Sequence, residues 1–377
     1  MINVFVNGLS AKSGGGLSIL TNFLKVASNS GDSYRYIVAV SDEEQFAEFA
    51  NGKIKLVSLN GLSHTILVPV ACCLVLPLIA YREKCQLIFN LGDIPIISHL
   101  PQVFLFDWPY AAFLESPAWH LGSLREIVIR KMKLNIFKAC LPFVDVMIAQ
   151  NSVLRDCIRQ LYCVQDIHVV PNAVSLDNLS EIESRDFDLG NEFKLLCLSR
   201  YYSHKNIEIF IPIAERIKDA NLPIKIVTTI SPYDGDGAVS FIDEIKSKGL
   251  SNVIINLGTV SMEHVPSLYR QTDALLLPSL LESFSGTYVE AMFHNKVILT
   301  SDLPFATGVC GDGALYFDPE NDTEIFTKIC EVVRNSDLRS KTIEKAKCRI
   351  GNMLTWDQAY LAYGEVFSLA MQKKRND

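Results

Sequence analysis

The sequence predicts an α/β protein with two doubly wound domains that face each other across a cleft. Its 377 residues are too many for one ordinary hydrophobic core. Solidly apolar strand-like runs alternate with helical stretches along the chain, which is typical of parallel sheets covered on both faces. The alternation restarts after a polar, acidic segment at 173–192, as expected for an interdomain linker.

The first half begins with a strand at 2–6 and a loop that ends in three glycines, Gly14 to Gly16, before a helix at 17–27. Glycines at a helix start let the backbone approach an anion closely, although a simple tight turn explains them equally well. Their spacing matches neither a P-loop nor a dinucleotide fingerprint. Further strands are predicted at 34–40, 53–57, 86–90, 102–106 and 143–149.

Two stretches of this half raise the question of a membrane. Residues 65–81 carry no charge, which is compatible with a short spanning helix, but Pro69 and Pro77 favour a buried or membrane-grazing helix. The predicted helix at 123–141 has five cations against one acid, which fits a solvated face or a contact with lipid.

The second half repeats the alternation and ends in helices at 323–347 and 356–373. Its earlier elements are strands at 194–198, 224–228, 253–257, 273–279 and 297–300, separated by helices at 206–220, 238–248 and 263–271 and by one after Gly286. We therefore expect a first domain at 1–172, a linker at 173–192, a second domain at 193–355, and a C-terminal helix and tail at 356–377 that crosses back to the first domain.

Composition excludes several classes of protein. A net charge of −7 argues against a general nucleic-acid binder. Residues 1–175 hold 14 Lys and Arg against 13 Asp and Glu, a net +1, which leaves −8 for the rest. The ten cysteines show no metal-ligand spacing and predict a reducing compartment, and the first residues lack a secretory signal, so we expect a cytoplasmic protein without a metal site.

The chemistry centres on two acids, Glu282 and Glu290, which straddle the loop between a buried strand and a helix. In parallel sheets, ligands bind where a strand's carboxyl end meets a helix's amino end. Acids so far apart suit the two ends of an extended ligand such as a nucleotide sugar, with the amides near Ser285 and Gly286 facing its diphosphate. The alternative is structural, since Thr287 and Glu290 also fit a capping box.

Two cations follow the first strand of the second half. Arg200 and Lys205 lie beyond 194–198, at the sheet edge where Glu282 is expected. An Arg fork and a Lys point charge can grip a diphosphate, whereas each cation alone would be an ordinary surface residue.

With these residues in place, the sequence resembles glycosyltransferase family 4, the retaining nucleotide-sugar glycosyltransferases marked by two Glu with seven residues between them. The similarity extends over nearly the whole chain, through Gly14 to Gly16, Gln150-Asn-Ser152, Val170-Pro-Asn172, Arg200, Lys205, Glu282, Glu290 and Gly311 to Pro319. It implies a GT-B fold of two Rossmann-like domains, and the most similar-looking members make bacterial surface polysaccharides such as lipopolysaccharide O-antigen.

The resemblance also implies donor-binding roles. Glu290 would hold the ribose hydroxyls of a UDP- or GDP-linked sugar, with Phe284, Ser285 and Gly286 around the nucleotide. Gly15 and Gly16 would face the acceptor or the distal phosphate. The donor is a substrate, so no cofactor is implied.

The catalytic roles would fall to Glu282 on the transferred sugar and to Arg200 and Lys205 on the diphosphate. Fixed cations stabilise the charge that grows on the leaving phosphate. Attack on the same face would retain the anomeric configuration, with the leaving phosphate accepting the proton and no metal needed.

The chain departs from the family pattern at two places. Serines, Ser283 and Ser285, replace the usual glycines after the first Glu. Asp107 stands where many members have a His facing the acceptor. As a catalytic candidate it would replace that His by orienting the acceptor or O6 of the sugar, although a carboxylate cannot share a proton near pH 7 as an imidazole does. Asp93 and Trp108 are further candidates on the acceptor side.

These observations predict a hexosyltransferase that acts on a glycan, or on a lipid-diphosphate-linked glycan, at the cytoplasmic face of the inner membrane. Two alternatives stay open. A nucleotide-sugar epimerase of the same architecture would release sugar without transferring it. A non-catalytic member, motivated by the missing glycines and His, would bind nucleotide without turnover.

Overall fold

The computed structural model describes residues 1–12, 14–62, 67–173, 185–351 and 353–376. Within these residues, thirteen strands form two sheets of seven and six strands, and neighbouring strands in both run parallel. The strands are β1 Ile2–Asn7, β2 Tyr34–Val40, β3 Ile54–Ser58, β4 Leu87–Asn90, β5 Gln102–Leu105, β6 Val146–Ala149, β7 Ile167–Val169, β8 Phe193–Cys197, β9 Ile224–Thr228, β10 Ile254–Asn256, β11 Ala274–Leu277, β12 Val297–Ser301 and β13 Leu315–Phe317.

Helices connect the strands, as the right-handed crossovers of a parallel sheet require. The helices are α1 Gly14–Asn29, α2 Val68–Val70, α3 Leu76–Arg82, α4 Pro109–Ala112, α5 Leu124–Cys140, α6 Ser152–Tyr162, α7 Phe210–Asp219, α8 Asp236–Ser247, α9 Val265–Gln271, α10 Gly286–Phe293, α11 Pro304–Cys310, α12 Asp322–Arg334, α13 Ser336–Ile350 and α14 Trp356–Asn376. A π-helical turn, Ala71–Val75, joins α2 to α3. The predicted fold of two doubly wound, Rossmann-like α/β domains is confirmed.

Each sheet reverses its strand order in the middle. The first has the order β3-β2-β1-β4-β5-β6-β7 and the second β10-β9-β8-β11-β12-β13. In such sheets, ligands bind outside the carboxyl ends of the strands at the point of reversal. In the second sheet this point lies between β8 and β11, and β11 is buried along its whole length because both faces are covered.

The chain divides into two compact units that do not follow the order of the sequence. Unit 1 comprises Met1–Leu114, Gly122–Ala173 and Leu354–Asp377, and unit 2 comprises Glu115–Leu121 and Val174–Met353. The C-terminal helix α14 thus belongs to unit 1, as the sequence predicted. Most of the predicted linker, 174–184, lies outside the described residues.

The apolar face of α14 completes the core of unit 1. Tyr363 and Phe367 are buried against Phe89 of β4, with ring centroids 5.3 and 5.0 Å away. The Tyr360 hydroxyl also lies 2.6 Å from that of Tyr36 in β2. Burying several large side chains supplies the free energy that holds α14 to this sheet.

Several elements differ from the sequence prediction. The glycines form the first turn of α1, with Gly14 at φ 62°, rather than a loop before it. The helix predicted at 323–347 is two helices, because Asn335 ends α12 and its side chain accepts a bond from Leu338 N that starts α13. Helix α11 and strand β13 were not predicted.

The uncharged stretch at 65–81 is helical from Val68 onward, while residues 65 and 66 lie outside the described part of the chain. No helix among the described residues combines the length and the apolar character that crossing a membrane requires.

Candidate active site

The candidate site lies in unit 2, where β8 and β11 end side by side. The loop after β8 carries Arg200 and Lys205, and the loop after β11 carries Glu282 and leads into α10. Because the two strands are parallel neighbours, their carboxyl ends meet at one edge of the sheet. The structure thus brings these predicted residues together within one unit.

Lys205 and Glu282 form an ion pair that is largely removed from solvent. The ammonium of Lys205 contacts Glu282 Oε1, and the two side chains are 14% and 12% exposed. Ser279 Oγ donates to the same oxygen at 3.0 Å. Burial favours a protonated carboxyl, but the positive charges of Lys205 and His204 and the hydrogen bonds from Lys205 and Ser279 together outweigh it, so the pKa of Glu282 is lowered. Glu282 is therefore an anion, and its Oε2 can accept hydrogen bonds from a ligand.

The backbone fixes the position of Lys205. It ends a 3₁₀ turn, and Asn206 follows in the left-handed region at φ 55°. Asn206 Nδ2 donates to Pro319 O at 2.7 Å, and His204 O accepts from Leu280 N at 2.7 Å. The second bond ties the loop of Lys205 to that of Glu282, so the two charges are held together by backbone as well as by attraction.

Glu290 lies in the second turn of α10 and is half-buried. Burial raises its pKa to about 7, and a bond from the Tyr269 hydroxyl, which donates to Oε2 at 3.1 Å, offsets part of that rise. Tyr269 also stacks on His294, with centroids 4.9 Å apart. The carboxyl group is thus oriented by a buried phenol and is poised to titrate near neutral pH.

The start of α10 contradicts the capping-box interpretation. The residue before the first helical turn is Ser285, not Thr287, and their hydroxyls lie 2.7 Å apart. Glu290 contacts Tyr269 instead of closing a cap. Gly286 opens the helix, whose first amides have no partner within the helix and can face an anion, and Phe284 is half-buried just before it.

Arg200 stands at the same edge of the sheet with its guanidinium held from one side. Its Nε donates to Asp234 Oδ1 at 3.0 Å, and the other oxygen of Asp234 accepts from Tyr201 N at 3.1 Å. Asp234 is nearly buried, whereas the Arg200 side chain is 56% exposed. This bond uses one of five N–H groups and leaves the fork able to bind a phosphate.

The remaining predicted residues lie in unit 1. Asp107 follows β5, and its Oδ1 accepts from the Nε2 of fully buried Gln150 at 2.7 Å. Among the described residues, Gln150 Oε1 and the Tyr363 hydroxyl are buried without a hydrogen-bond partner. A polar ligand or an ordered water would satisfy such atoms.

Asp93 and Trp108 are joined through Lys133. The ammonium of Lys133 pairs with Asp93 and lies 4.3 Å from the centre of the Trp108 ring. Trp108 is 7% exposed, so its ring mainly packs in the core. Gly15 and Gly16 lie in the first turn of α1, where a Cβ on Gly15 would meet no atom within 4 Å.

Sequence reasoning missed three residues that hold the site together: Tyr269, Ser279 and Asp234. Ser279 is the last residue of the predicted strand, and Asp234 ends a Ser-Pro-Tyr-Asp turn in which it closes a capping box with Ser231. Both patterns could have pointed to them. No local signal marks Tyr269, which faces Glu290 only through the packing of α9 against α10. Among the described residues, no group of three or more His, Cys, Asp or Glu could hold a metal ion.

Comparison with known sequences bears on this part of the chain. Residues 180–349 match the family model described as glycosyl transferases group 1. The O-antigen chain mannosyltransferase RfbU of Salmonella typhimurium is 29% identical over 175 residues, 46% of either chain. The mannosylfructose-phosphate synthase of Agrobacterium fabrum is 23% identical over 239 residues, 59% of this chain and 52% of that protein. The alignments thus span about half the length of the curated relatives.

Comparison with solved structures covers both units. Sucrose-phosphate synthase from Thermosynechococcus elongatus has a TM-score of 0.74 at 12% identity, with 99% of this chain and 100% of that chain covered. HepE of Anabaena, solved in complex with UDP and glucose, has a TM-score of 0.72 at 15% identity, with 98% and 100% covered. The chain therefore has the GT-B fold, and its residues 180–349 are similar to the glycosyl transferases group 1 model.

Proposed function

We propose that the protein is a retaining glycosyltransferase, which moves a hexose from a UDP- or GDP-linked sugar to a glycan acceptor. The observation that carries this proposal is the pair of glutamates around the start of α10, one ionised against Lys205 and one held by Tyr269. Both lie inside the region that matches the group 1 model. An extended, hydroxyl-rich ligand with a central diphosphate fits that order of groups.

Each residue has a role in the transfer. Glu290 accepts hydrogen bonds from the ribose, and Glu282 Oε2 accepts them from the transferred sugar. Arg200, Lys205 and the first amides of α10 bind the diphosphate. As the bond between the anomeric carbon and the phosphate oxygen breaks, its electron pair moves to the phosphate, where fixed cations stabilise the charge.

The acceptor hydroxyl then attacks the same face of the sugar, and its proton passes to the leaving phosphate. This route retains the anomeric configuration and makes no use of a metal. We assign the acceptor to unit 1, where the half-buried carboxylate of Asp107, held by Gln150, can accept hydrogen bonds from hydroxyl groups. Asp93, Trp108, Gly15 and Gly16 stay weaker candidates in the same unit.

The acceptor that we propose is a lipid-diphosphate-linked glycan of bacterial surface-polysaccharide synthesis, at the cytoplasmic face of the inner membrane. The name of the Salmonella relative, an O-antigen chain mannosyltransferase, supports this choice. The lack of net negative charge in residues 1–175 is compatible with an anionic acceptor.

The first test is the shift in melting temperature with UDP, GDP, ADP, CMP and NAD, for the wild type and for Glu290→Ala. A ligand that binds only the folded state raises its stability with concentration. We expect one nucleoside diphosphate to stabilise the wild type, and Glu290→Ala to lose ~1.5–3 kcal/mol of nucleotide affinity, the range for a charged hydrogen-bond partner. No shift with any ligand, or a shift with NAD alone, would refute the proposal.

The second test follows the sugar itself. The nucleotide sugar selected by stabilisation is incubated with lipid-linked acceptors, with and without EDTA, and the anomeric configuration of the product is read by NMR. We expect transfer with retention that EDTA leaves unchanged. Epimerised or released sugar without transfer would favour the epimerase, and binding without any turnover would favour a non-catalytic member.

A further inference from the structure

The exposed apolar side chains of the protein are concentrated on two neighbouring helical segments of unit 1. Of sixteen large apolar residues exposed in the described part of the chain, eight lie on residues 67–82 and 124–138, which we call the two-helix surface. These eight are Leu67, Val70, Leu74, Leu78, Tyr81, Leu124, Val128 and Met132. Scattered apolar residues need no explanation, but a concentrated patch marks an interaction site.

The spacing of these residues places them on one stripe of each segment. Steps of three and four residues from Leu67 to Tyr81, and of four from Leu124 to Met132, return to the same face of a helix. The opposite faces are buried, since Cys72, Leu76 and Cys140 belong to one core cluster. Each segment therefore has an inner face that packs in unit 1 and an outer apolar stripe without a partner.

The two segments border a common pocket. This pocket of about 360 Å³ is lined from one segment by Val68 and Pro69 and from the other by Ile129, Met132 and Ile136. The segments therefore lie side by side, and Met132 brings the second stripe to the edge of the pocket.

The charges around this surface are mainly positive. Its exposed cations are Arg82, Arg125, Lys131 and Lys138, and the exposed Lys84 lies just beyond it. The acids on or beside it are engaged, because Glu83 accepts from Lys55 Nζ at 2.7 Å, Glu126 accepts from Ser123 N at 2.7 Å, and Asp93 at the pocket pairs with Lys133. This contrasts with the net charge of −7 for the whole chain.

We propose that the two-helix surface docks the protein onto an anionic lipid bilayer. The apolar stripes would enter the interface, and the cations would lie among the phosphates of the headgroups. A second copy of the chain fits less well, because a symmetric contact would bring the same cations face to face. Docking would bring the proposed enzyme to a lipid-linked acceptor, and this purpose rests on the proposed function. The binding to lipid does not depend on that function.

The experiment is co-sedimentation of the full chain with vesicles of phosphatidylcholine alone or with added phosphatidylglycerol. We expect binding only to the anionic vesicles, weakened by salt. Arg125→Glu with Lys131→Glu should reduce partitioning about fivefold for each unit of charge removed, since ~1 kcal/mol per cation converts to that factor. Leu74→Glu with Val128→Glu should reduce it at least as far.

Matched controls lie in unit 2. Met262→Glu with Val239→Glu alters side chains that are 64% and 41% exposed, comparable to the 67% and 55% of Leu74 and Val128. Lys246→Glu with Lys345→Glu gives the same change of charge at side chains that are 67% and 55% exposed. We expect both controls to bind vesicles much more tightly than the two test variants do.

Three results would overturn the proposal: no binding of the wild type to anionic vesicles, equal losses in test and control variants, or a dimer that the test variants dissociate while vesicles bind nothing. Stabilisation by nucleotide is measured in the same samples without lipid. If it is absent while vesicle binding follows the predicted pattern, the proposed function fails and the docking surface stands.

Discussion

At the scale of single residues, Glu282 and Glu290 are held in opposite electrostatic states. Lys205 lowers the pKa of Glu282 although the side chain is buried, whereas burial raises the pKa of Glu290 to about 7. Glu282 therefore stays charged through the neutral range, and Glu290 titrates within it. Different environments allow two carboxyl groups of one site to have different protonation states and therefore different chemical roles.

The raised pKa of Glu290 predicts how nucleotide binding depends on pH. Ribose hydroxyls donate best to a carboxylate, so affinity for the nucleotide should rise as pH increases from 5.5 through about 7 to 8. Calorimetric titration across this range measures the effect. Glu290→Gln should bind the nucleotide more weakly, and its affinity should lose the part of the pH dependence that comes from Glu290. Any pH dependence that remains in the variant belongs to titration of the phosphate. If the affinities of the wild type and the variant changed with pH in parallel, Glu290 would not be the ribose ligand.

The same shift has a cost in stability. A carboxyl group whose pKa is higher in the folded state binds more protons there, so its stabilising contribution is lost as pH rises from the unfolded value of 4.5 through about 7. In thermal unfolding, the melting temperature of Glu290→Gln should rise relative to that of the wild type as pH increases from 5 to 8. An unchanged difference across the range would mean that the free protein has an ordinary carboxyl here.

Lys205 is predicted to be both structural and catalytic. Lys205→Ala leaves the buried carboxyl group of Glu282 without its cation, which should cost about 3 kcal/mol of unfolding free energy. The double variant Lys205→Met with Glu282→Gln removes both charges and should recover most of this loss in a denaturant titration, while turnover stays low. Recovery of turnover with stability would assign the pair to folding alone.

Kinetics separate the two roles of Lys205. If it stabilises the leaving phosphate, Lys205→Ala should lower kcat by more than it raises the KM for the donor. Lys345→Ala, an exposed cation of the same unit, should change neither. An effect confined to KM would make Lys205 a binding residue only.

At the scale of elements, α14 holds unit 1 together although it comes last in the chain. Phe367 is 1% exposed and packs on Phe89, whereas Leu361 on the same helix is 67% exposed. Phe367→Ala should therefore cost ~3–5 kcal/mol of unfolding free energy, the usual range for an aromatic side chain removed from a core. Leu361→Ala is the matched control and should be close to neutral. If Phe367→Ala and Leu361→Ala lowered stability equally in thermal unfolding, the buried face of α14 would not contribute to the stability of unit 1.

At the scale of the whole molecule, the units are built from discontinuous segments. Glu115–Leu121 lies within the range predicted for the first domain but belongs to unit 2. There the Ser116 hydroxyl donates to Leu280 O at 2.9 Å, in the loop that carries Glu282. Residues remote in the chain thus support the candidate site.

This placement predicts an effect of Ser116 on turnover. Ser116→Ala removes the bond to Leu280 and also the bond that Ser116 Oγ accepts from Ala118 N at 3.3 Å, each worth about 0.5–1.5 kcal/mol, and should loosen the loop of Glu282. We expect kcat to fall severalfold, whereas Ser123→Ala, which removes the cap of α5, should lower the melting temperature by a similar amount without changing kcat. Unchanged kinetics of Ser116→Ala would show that the loop holds its shape without this segment.

Most of the fold was accessible from the sequence because its strands are solidly apolar. Fully buried strands such as β11 and β12 cannot be mistaken for surface segments. The errors fall where local patterns are weak. Strand β13 has only three residues, and two of them are only half-buried. Asn335 separates two helices whose pattern of polar and apolar residues is otherwise continuous.

The sequence by itself determined the alternation of strands and helices, and with it the sheet edge at which Arg200, Lys205 and the glutamates collect. Only the tertiary structure decided which groups contact which, because the partners are far apart along the chain. Lys205 and Glu282 are 77 positions apart, Arg200 and Asp234 34, and Tyr269 and Glu290 21. Local propensity acts over a few residues, whereas the order of β8, β9 and β11 in the sheet brings these distant charges together and so sets their pKa values.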